Sequence, residues 1–186
     1  MSDATNTRKT RLRLTLTALA VLLLAGCAAH DRRSFGNIVD DQSIEIAAFD
    51  RFANAKELRD ARIKSVAYNG TLLLIGEVQD STQRETAEGI AARIGGVKRV
   101  VNELAVGEDA GFWRRTRDGT LTTRVKTGLL NLGIKGFDPT RVNVTTVRGE
   151  VYLMGLVSHE EAAAAVERIS RMRGVRRVVK VFEYTD

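Results

Sequence analysis

The segment Gly149-Glu150-Val151-Tyr152-Leu153-Met154-Gly155-Leu156-Val157 is a near copy of Gly70-Thr71-Leu72-Leu73-Leu74-Ile75-Gly76-Glu77-Val78, 79 residues earlier. Four of the nine paired positions are identical: Gly70/Gly149, Leu74/Leu153, Gly76/Gly155 and Val78/Val157. The likeness continues downstream of both copies. A helical run leads to Gly96-Val97-Lys98-Arg99-Val100-Val101 in one case and to Gly174-Val175-Arg176-Arg177-Val178-Val179 in the other. Self-similarity at one spacing fixes the domain count before any local reading. The 186 residues hold two copies of one module. At roughly 65 to 70 residues, each module is near the lower limit for a self-sufficient core. Packing of one module on the other is therefore expected.

The periodicities order each module as α-β-β-α-β. In the first, Ile44, Ala48 and Phe52 recur every four residues and place one apolar face on a helix running from the cap candidates Asp40, Asp41 and Ser43 to about Leu58. Arg62 to Tyr68 reads as a strand, Asn69-Gly70 as a type I′ turn, and Thr71 to Val78 as the returning strand. Asp80-Ser81-Thr82 caps a second helix over 81–94, and 97–106 forms a third strand. In the second module Leu121, Val125 and Leu129 mark a helix near 120–132, and strands 142–147 and 151–157 flank the turn at Arg148-Gly149. Ser158 with Glu161 has the capping-box spacing for a helix over 159–173, and 175–184 closes the sheet. The fold class is α+β, with a three-stranded mixed sheet packed on two helices in each module. Gly76 and Gly155 sit in strands where a helix is expected to approach the backbone closely.

Cysteine and charge set the compartment. Arg8, Lys9, Arg11 and Arg13 precede an apolar run from Leu14 to Ala25, too short to span a bilayer comfortably and matching a signal peptide. It ends in Leu24-Ala25-Gly26-Cys27, which resembles a bacterial lipobox, and Cys27 is the only cysteine. The expected division is a signal peptide over 1–26, a tether over 27–39, the first module over 40–107, a linker over 108–118 and the second module over 119–186. Residues 28–111 hold 11 basic and 14 acidic side chains, whereas 112–186 hold 14 and 8. Only the second module is expected to meet an anionic surface.

The hairpins ending in Leu74-Ile75-Gly76 and Leu153-Met154-Gly155 are similar to those of the BON domain family, as are the closes Gly96-Val97 to Val100 and Gly174-Val175 to Val178. The resemblance covers about residues 33–185. It implies a non-enzymatic lipoprotein on the periplasmic face of the outer membrane, with Cys27 lipidated. It further implies that the second BON module binds anionic phospholipid and that the protein supports envelope integrity. Relatives carry a large aromatic at the start of that module's first helix, where this chain has Thr120 or Leu121. Phe112 and Trp113 lie a few residues earlier.

Arg114, Arg115, Arg117, Arg124 and Lys126 gather around that helix beside Phe112, Trp113 and Leu121, a composition suited to anionic headgroups. Together with the resemblance, this makes Trp113, Thr120, Leu121, Arg124, Lys126 and Gly128 the candidate lipid-contacting set. A second basic group, Arg168, Arg171, Arg173, Arg176 and Arg177, reads as a solvated face or as an inter-module or partner surface. Gly95-Gly96 lacks the further glycines and the Lys-Ser/Thr pair of a phosphate loop and reads as a helix stop. His159 has no second histidine or cysteine nearby to build a zinc set and is expected to be exposed. No motif flanks any serine as a nucleophile, so neither a catalytic residue nor a cofactor is expected. A basic patch also suits nucleic acid, but a lipobox keeps the chain away from it. The alternative is a scaffold or chaperone-like module that binds an envelope protein through its hairpin edges or helix faces. The oligomeric state is left open.

Overall fold

Leu72, Leu73, Leu74 and Ile75 are consecutive, and none has exposed surface. A strand buried on one face would alternate with polar residues, so an unbroken apolar run requires cover on both faces. The computed structural model, which describes residues 35–107 and 112–186, shows how this cover arises. Side chains are described over 36–107 and 117–186. The first module runs α1 (Phe35–Asn54), β1 (Arg62–Tyr68), β2 (Thr71–Val78), α2 (Ser81–Ala92) and β3 (Arg99–Val106). The second runs α3 (Phe112–Leu130), β4 (Val142–Val147), β5 (Glu150–Val157), α4 (His159–Ser170) and β6 (Arg177–Tyr184). The sheets are ordered β1-β2-β3 and β4-β5-β6, with an antiparallel hairpin and a parallel third strand in each. This is the α+β arrangement expected, built twice.

Alternate residues of the central strands serve different layers. Leu72, Leu74 and Val78 pack with Ile44, Ala48 and Phe52 of α1 and with Ala87 and Ala91 of α2. Val151, Leu153 and Val157 pack in the same way with Leu121, Val125 and Leu129 of α3 and with Ala162, Ala165 and Ile169 of α4. The opposite faces meet each other. Val66, Tyr68, Leu73 and Ile75 of the first sheet share one cluster with Tyr152, Met154 and Val181 of the second. The layers are therefore helices, sheet, sheet, helices, and each sheet keeps the other dry. Polar bonds border this layer. Arg177 reaches both Glu103 of β3 and Glu150 of β5, each at 2.7 Å, and Asn69 Nδ2 donates to Glu183 at 2.9 Å.

The Arg177 bridge gives the layer an acid sensitivity. Burial pushes the Glu150 carboxyl up, but hydrogen bonds from Arg177 and Tyr152 outweigh it and leave the group below its ordinary 4.5. Burial and the bond to Glu150 raise the Tyr152 hydroxyl, and the bonds to Glu150 and Glu103 raise Arg177. A carboxyl depressed by folding stabilises the native state above its unfolded pKa, and that contribution is lost as pH falls through the folded value. The melting temperature should therefore fall on acidification below about pH 4.5, and Glu150→Gln should flatten part of that slope. An acid slope identical in the variant would show that the bridge contributes nothing.

Several boundaries differ from expectation. The first helix starts at Phe35 rather than 40, so the last five residues of the expected tether are helical. Asp40 and Asp41 lie inside it because Asp41 is buried and bonded to the hairpin turn instead of capping. The helix ends at Asn54 and is followed by a short 3-10 turn, Lys56–Leu58. The third helix starts at Phe112, within the expected linker, and ends at Leu130. Gly119, a residue type that suggests a boundary, lies in mid-helix with open space around its α-carbon. The caps agree with the sequence. Asp80 accepts from the Gln83 N–H at 2.8 Å, and Ser158 with Glu161 completes a capping box. Cys27, the segment 1–34 and residues 108–111 lie outside the described residues.

No α-helix is among the nearest neighbours of Gly76 or Gly155, although a short 3-10 turn, Pro139–Arg141, ends against Gly155. A β-carbon on Gly76 would lie 1.9 Å from the Arg62 carbonyl oxygen, and one on Gly155 2.5 Å from that of Arg141. The neighbour in both modules is the chain at the start of the adjoining hairpin strand. Gly76 also has a φ of +128°, which side-chain-bearing residues rarely adopt.

Candidate functional site

Each hairpin turn is held from above by an aspartate. Asp41 on α1 accepts from the N–H groups of Asn69 and Gly70 at 2.8 and 2.9 Å. Asp118 on α3 accepts from those of Arg148 and Gly149 at 2.7 and 2.8 Å. Both turns need two residues at positive φ, at 49° and 82° in the first and 57° and 75° in the second. Asparagine tolerates that geometry readily; an arginine there is unusual and costs on the order of 1 kcal/mol. The aspartate grips hold the turns in place and leave a groove beside each one.

In the second module this groove, about 500 Å³, is lined by Arg117 and Arg124 of α3, Arg148 of the turn, and Arg173 and Arg176 after α4, over Leu121 and Gly174. Asp118, the only carboxylate among its described lining residues, is occupied by the two backbone N–H groups. Arg148 meets Glu77 at 3.5 Å, and Arg176 donates to the Arg148 carbonyl at 3.3 Å. Arg117, Arg124 and Arg173 are exposed and make no ion pair with any described residue. Five guanidiniums around one occupied carboxylate leave a strong positive field, and Arg forks match phosphate oxygens in pairs.

The first module provides an internal control. Its equivalent groove, about 390 Å³, is lined by Asp40, Asp41, Ile44, Asn69, Gly95 and Lys98, among others. Asp40 stands where the second module has Arg117, Asn69 where it has Arg148, and Gly95 where it has Arg173. The backbone is the same and the charge is opposite. The charge split between the halves is thus concentrated in one corresponding groove.

The sequence-predicted residues divide around this groove. Arg124 lines it, whereas Lys126, two positions along the helix, is exposed elsewhere. Thr120 is exposed. Leu121 is buried, at 3% exposure, in the core beneath the groove. Gly128 is also buried, and a β-carbon there would strike the end of the Met172 side chain at 2.0 Å. The side chains of Phe112, Trp113, Arg114 and Arg115 lie outside the described residues. Arg117, Arg148, Arg173 and Arg176 are absent from the predicted set, although Arg117 belongs to the basic group read around that helix. The second basic group splits: Arg173 and Arg176 join the groove, Arg177 ties the modules, and Arg171 pairs with Glu167 on its own helix. Superposing the two repeats in sequence would have found Arg173 and Arg176, because Gly174 aligns with Gly96 beside the turn. His159 is exposed, stacks on Tyr184 at 3.9 Å and lies 2.8 Å from Asp186. Its hydrogen bond holds the Asp186 carboxyl below the ordinary value.

Comparison with known proteins agrees with the doubled architecture. The BON domain profile matches twice, over residues 40–108 and 117–186. The outer membrane lipoprotein DolP of Haemophilus influenzae is 36% identical over 165 residues, 88% of this chain and 84% of that protein. A 21 kDa hemolysin of Actinobacillus pleuropneumoniae is 40% identical over 158 residues, 84% and 80% of the two chains. Two matches that together span most of the chain, placed on two copies of one α-β-β-α-β unit, make this a tandem member of the BON domain family.

Proposed function

We propose that this chain is a non-enzymatic lipoprotein of the outer membrane, anchored at Cys27 on the periplasmic face, whose second BON domain binds anionic phospholipid and so supports envelope integrity. The observation that carries the reading is the arginine groove at the Arg148-Gly149 turn, set against its acidic counterpart in the first domain. The name of the Haemophilus influenzae relative supports the anchoring. Lipid phosphates would be held by Arg117, Arg124, Arg148, Arg173 and Arg176. Trp113, at the start of α3, would contribute an interfacial ring, so Trp113→Ala should cause a partial loss of binding. Leu121 and Gly128 would act from beneath, by shaping α3. The domain division expected from sequence is kept in this reading, with the helical start of α3 included in the second domain.

The chain from residue 28 should co-sediment with phosphatidylglycerol vesicles and not with phosphatidylcholine vesicles. Binding should weaken as added salt shortens the Debye length from about 10 Å at 0.1 M to about 3 Å at 1 M. Equal binding to both vesicle types would overturn the reading. Separately, Cys27→Ser should abolish acylation and leave the protein unprocessed or free in the periplasm. Acyl chains on that variant would refute the anchor.

A further inference from the structure

The outer edges of the two hairpins differ in a way that their shared fold does not require. Strands β1 and β4 are edge strands, and an edge presents every second residue's N–H and C=O outward. With Val147 and Glu150 paired across the turn, Val147, Thr145 and Asn143 face β5, while Thr146, Val144 and Val142 turn their backbone groups outward. The same alternation on β1 turns Ala67, Ser65 and Ile63 outward.

In the first module the edge is closed next to the turn, where Glu45 of α1 accepts from the Ala67 N–H at 2.8 Å. In the second module Thr122 occupies the position of Glu45, and its hydroxyl donates back to the Asp118 carbonyl at 2.9 Å. Val142 donates to Pro139. The N–H groups of Thr146 and Val144 have no acceptor among the described residues, as is true of Ser65 and Ile63 on β1, so the two edges differ at the position next to the turn, closed at Ala67 and open at Thr146. The hydroxyl of Thr146, a residue 8% exposed, is buried and also lacks a partner. Buried polar groups are ordinarily satisfied, so the unmet Thr146 hydroxyl, beside two outward N–H groups with no protein acceptor, marks a place where something else binds.

That edge borders a slot of about 550 Å³. Gly119 and Thr122 of α3 flank it on one side, and Ile63 and Lys64 of β1 on the other. Lys64 is exposed and has no ion pair with a described residue. Gly119 has nothing within 4 Å of where a β-carbon would be, so the slot is open on the helix side. Val144 and Thr146 are one strand repeat apart, about 6.6 Å, the spacing at which an added strand pairs. We propose that the β4 edge docks an extended segment of a partner polypeptide as an additional strand, with an acidic side chain of that segment placed against Lys64. This surface adjoins the arginine groove at Asp118, which lines both, but uses none of the groove's arginines.

The test uses the chain from residue 28, labelled with ¹⁵N, and a capped Thr-Val-Glu-Val-Thr peptide. The peptide should produce saturable shifts and slowed hydrogen exchange at the Val144 and Thr146 amides. Methylating the peptide nitrogens on its pairing edge should abolish both effects. Gly119→Phe, which adds bulk at the slot's border where a β-carbon has nothing within 4 Å, should weaken binding by about tenfold or more while leaving the fold's spectrum unchanged. Lys64→Glu should weaken the acidic peptide and not one carrying Gln in place of Glu. The proposal is overturned if those two amides are unmoved at about 1 mM peptide, if the methylated peptide binds equally, or if Gly119→Phe has no effect. Slowed exchange at the same amides with phosphatidylglycerol vesicles alone would assign the slot to lipid and equally overturn it.

Discussion

Replacing Arg124 and Arg173 together with glutamate should remove most of the intact chain's affinity for phosphatidylglycerol vesicles. Each cation near an anionic surface contributes on the order of 1 kcal/mol. Two reversals change four charges, so the expected loss is about one hundredfold or more. Both residues are exposed and make no ion pair with any described residue, and neither belongs to the core cluster of its domain. The melting temperature should therefore change little. Lys126→Glu is the matched control, since Lys126 is on the same helix but outside the groove. A loss as large for Lys126 as for the double variant would show that only net charge matters, and the groove would lose its role. Vesicle co-sedimentation at fixed low salt measures all three proteins.

The second large effect is on the fold. Gly76→Val would place a β-carbon 1.9 Å from the Arg62 carbonyl oxygen, a backbone atom that cannot rotate away. It would also force a β-branched residue to a φ of +128°. Overpacking typically costs about 1–3 kcal/mol, and the backbone conformation adds roughly 1–3 kcal/mol. A domain of this size has about 5–15 kcal/mol in total, so this variant should unfold well below the wild type or fail to accumulate. Gly155→Val meets its carbonyl at 2.5 Å, without a positive φ in the way, and should be milder. Melting temperatures in the reverse order, or unchanged, would show that hairpin contact at these positions is incidental.

The repeat, the element types and the caps were legible in sequence because each rests on neighbours a few residues apart. Asp80, Ser158 and Glu161 act within a single helical turn. Asp41 misled because a residue type that caps helices was used to grip a turn about thirty residues away, as Asp118 does in the second module. Gly119 misled in the same way, as its chemistry suggests a break while the helix runs through it. The arginine groove was only partly legible. Its side chains come from three separated segments, and Lys126, a sequence neighbour of Arg124, is not among them. The unmet edge of β4 left no trace in local pattern. It is defined by the residue at the Glu45 position in the other repeat, so it shows only when the two copies are compared atom by atom.

The shared layer between the sheets constrains how these halves could diverge. If Val66, Tyr68, Leu73 and Ile75 are needed to cover Tyr152, Met154 and Val181, the first domain is retained by its back, whatever its front does. Its groove could become acidic, and its strand edge could be closed by Glu45, without loss of the pair. On the proposed reading, the duplication would leave one copy free of lipid duty while keeping it as cover for the other's sheet. Expressing the second half alone would expose an apolar sheet and invite aggregation. Substitutions in the joined pair are therefore the informative experiments, and truncation is not.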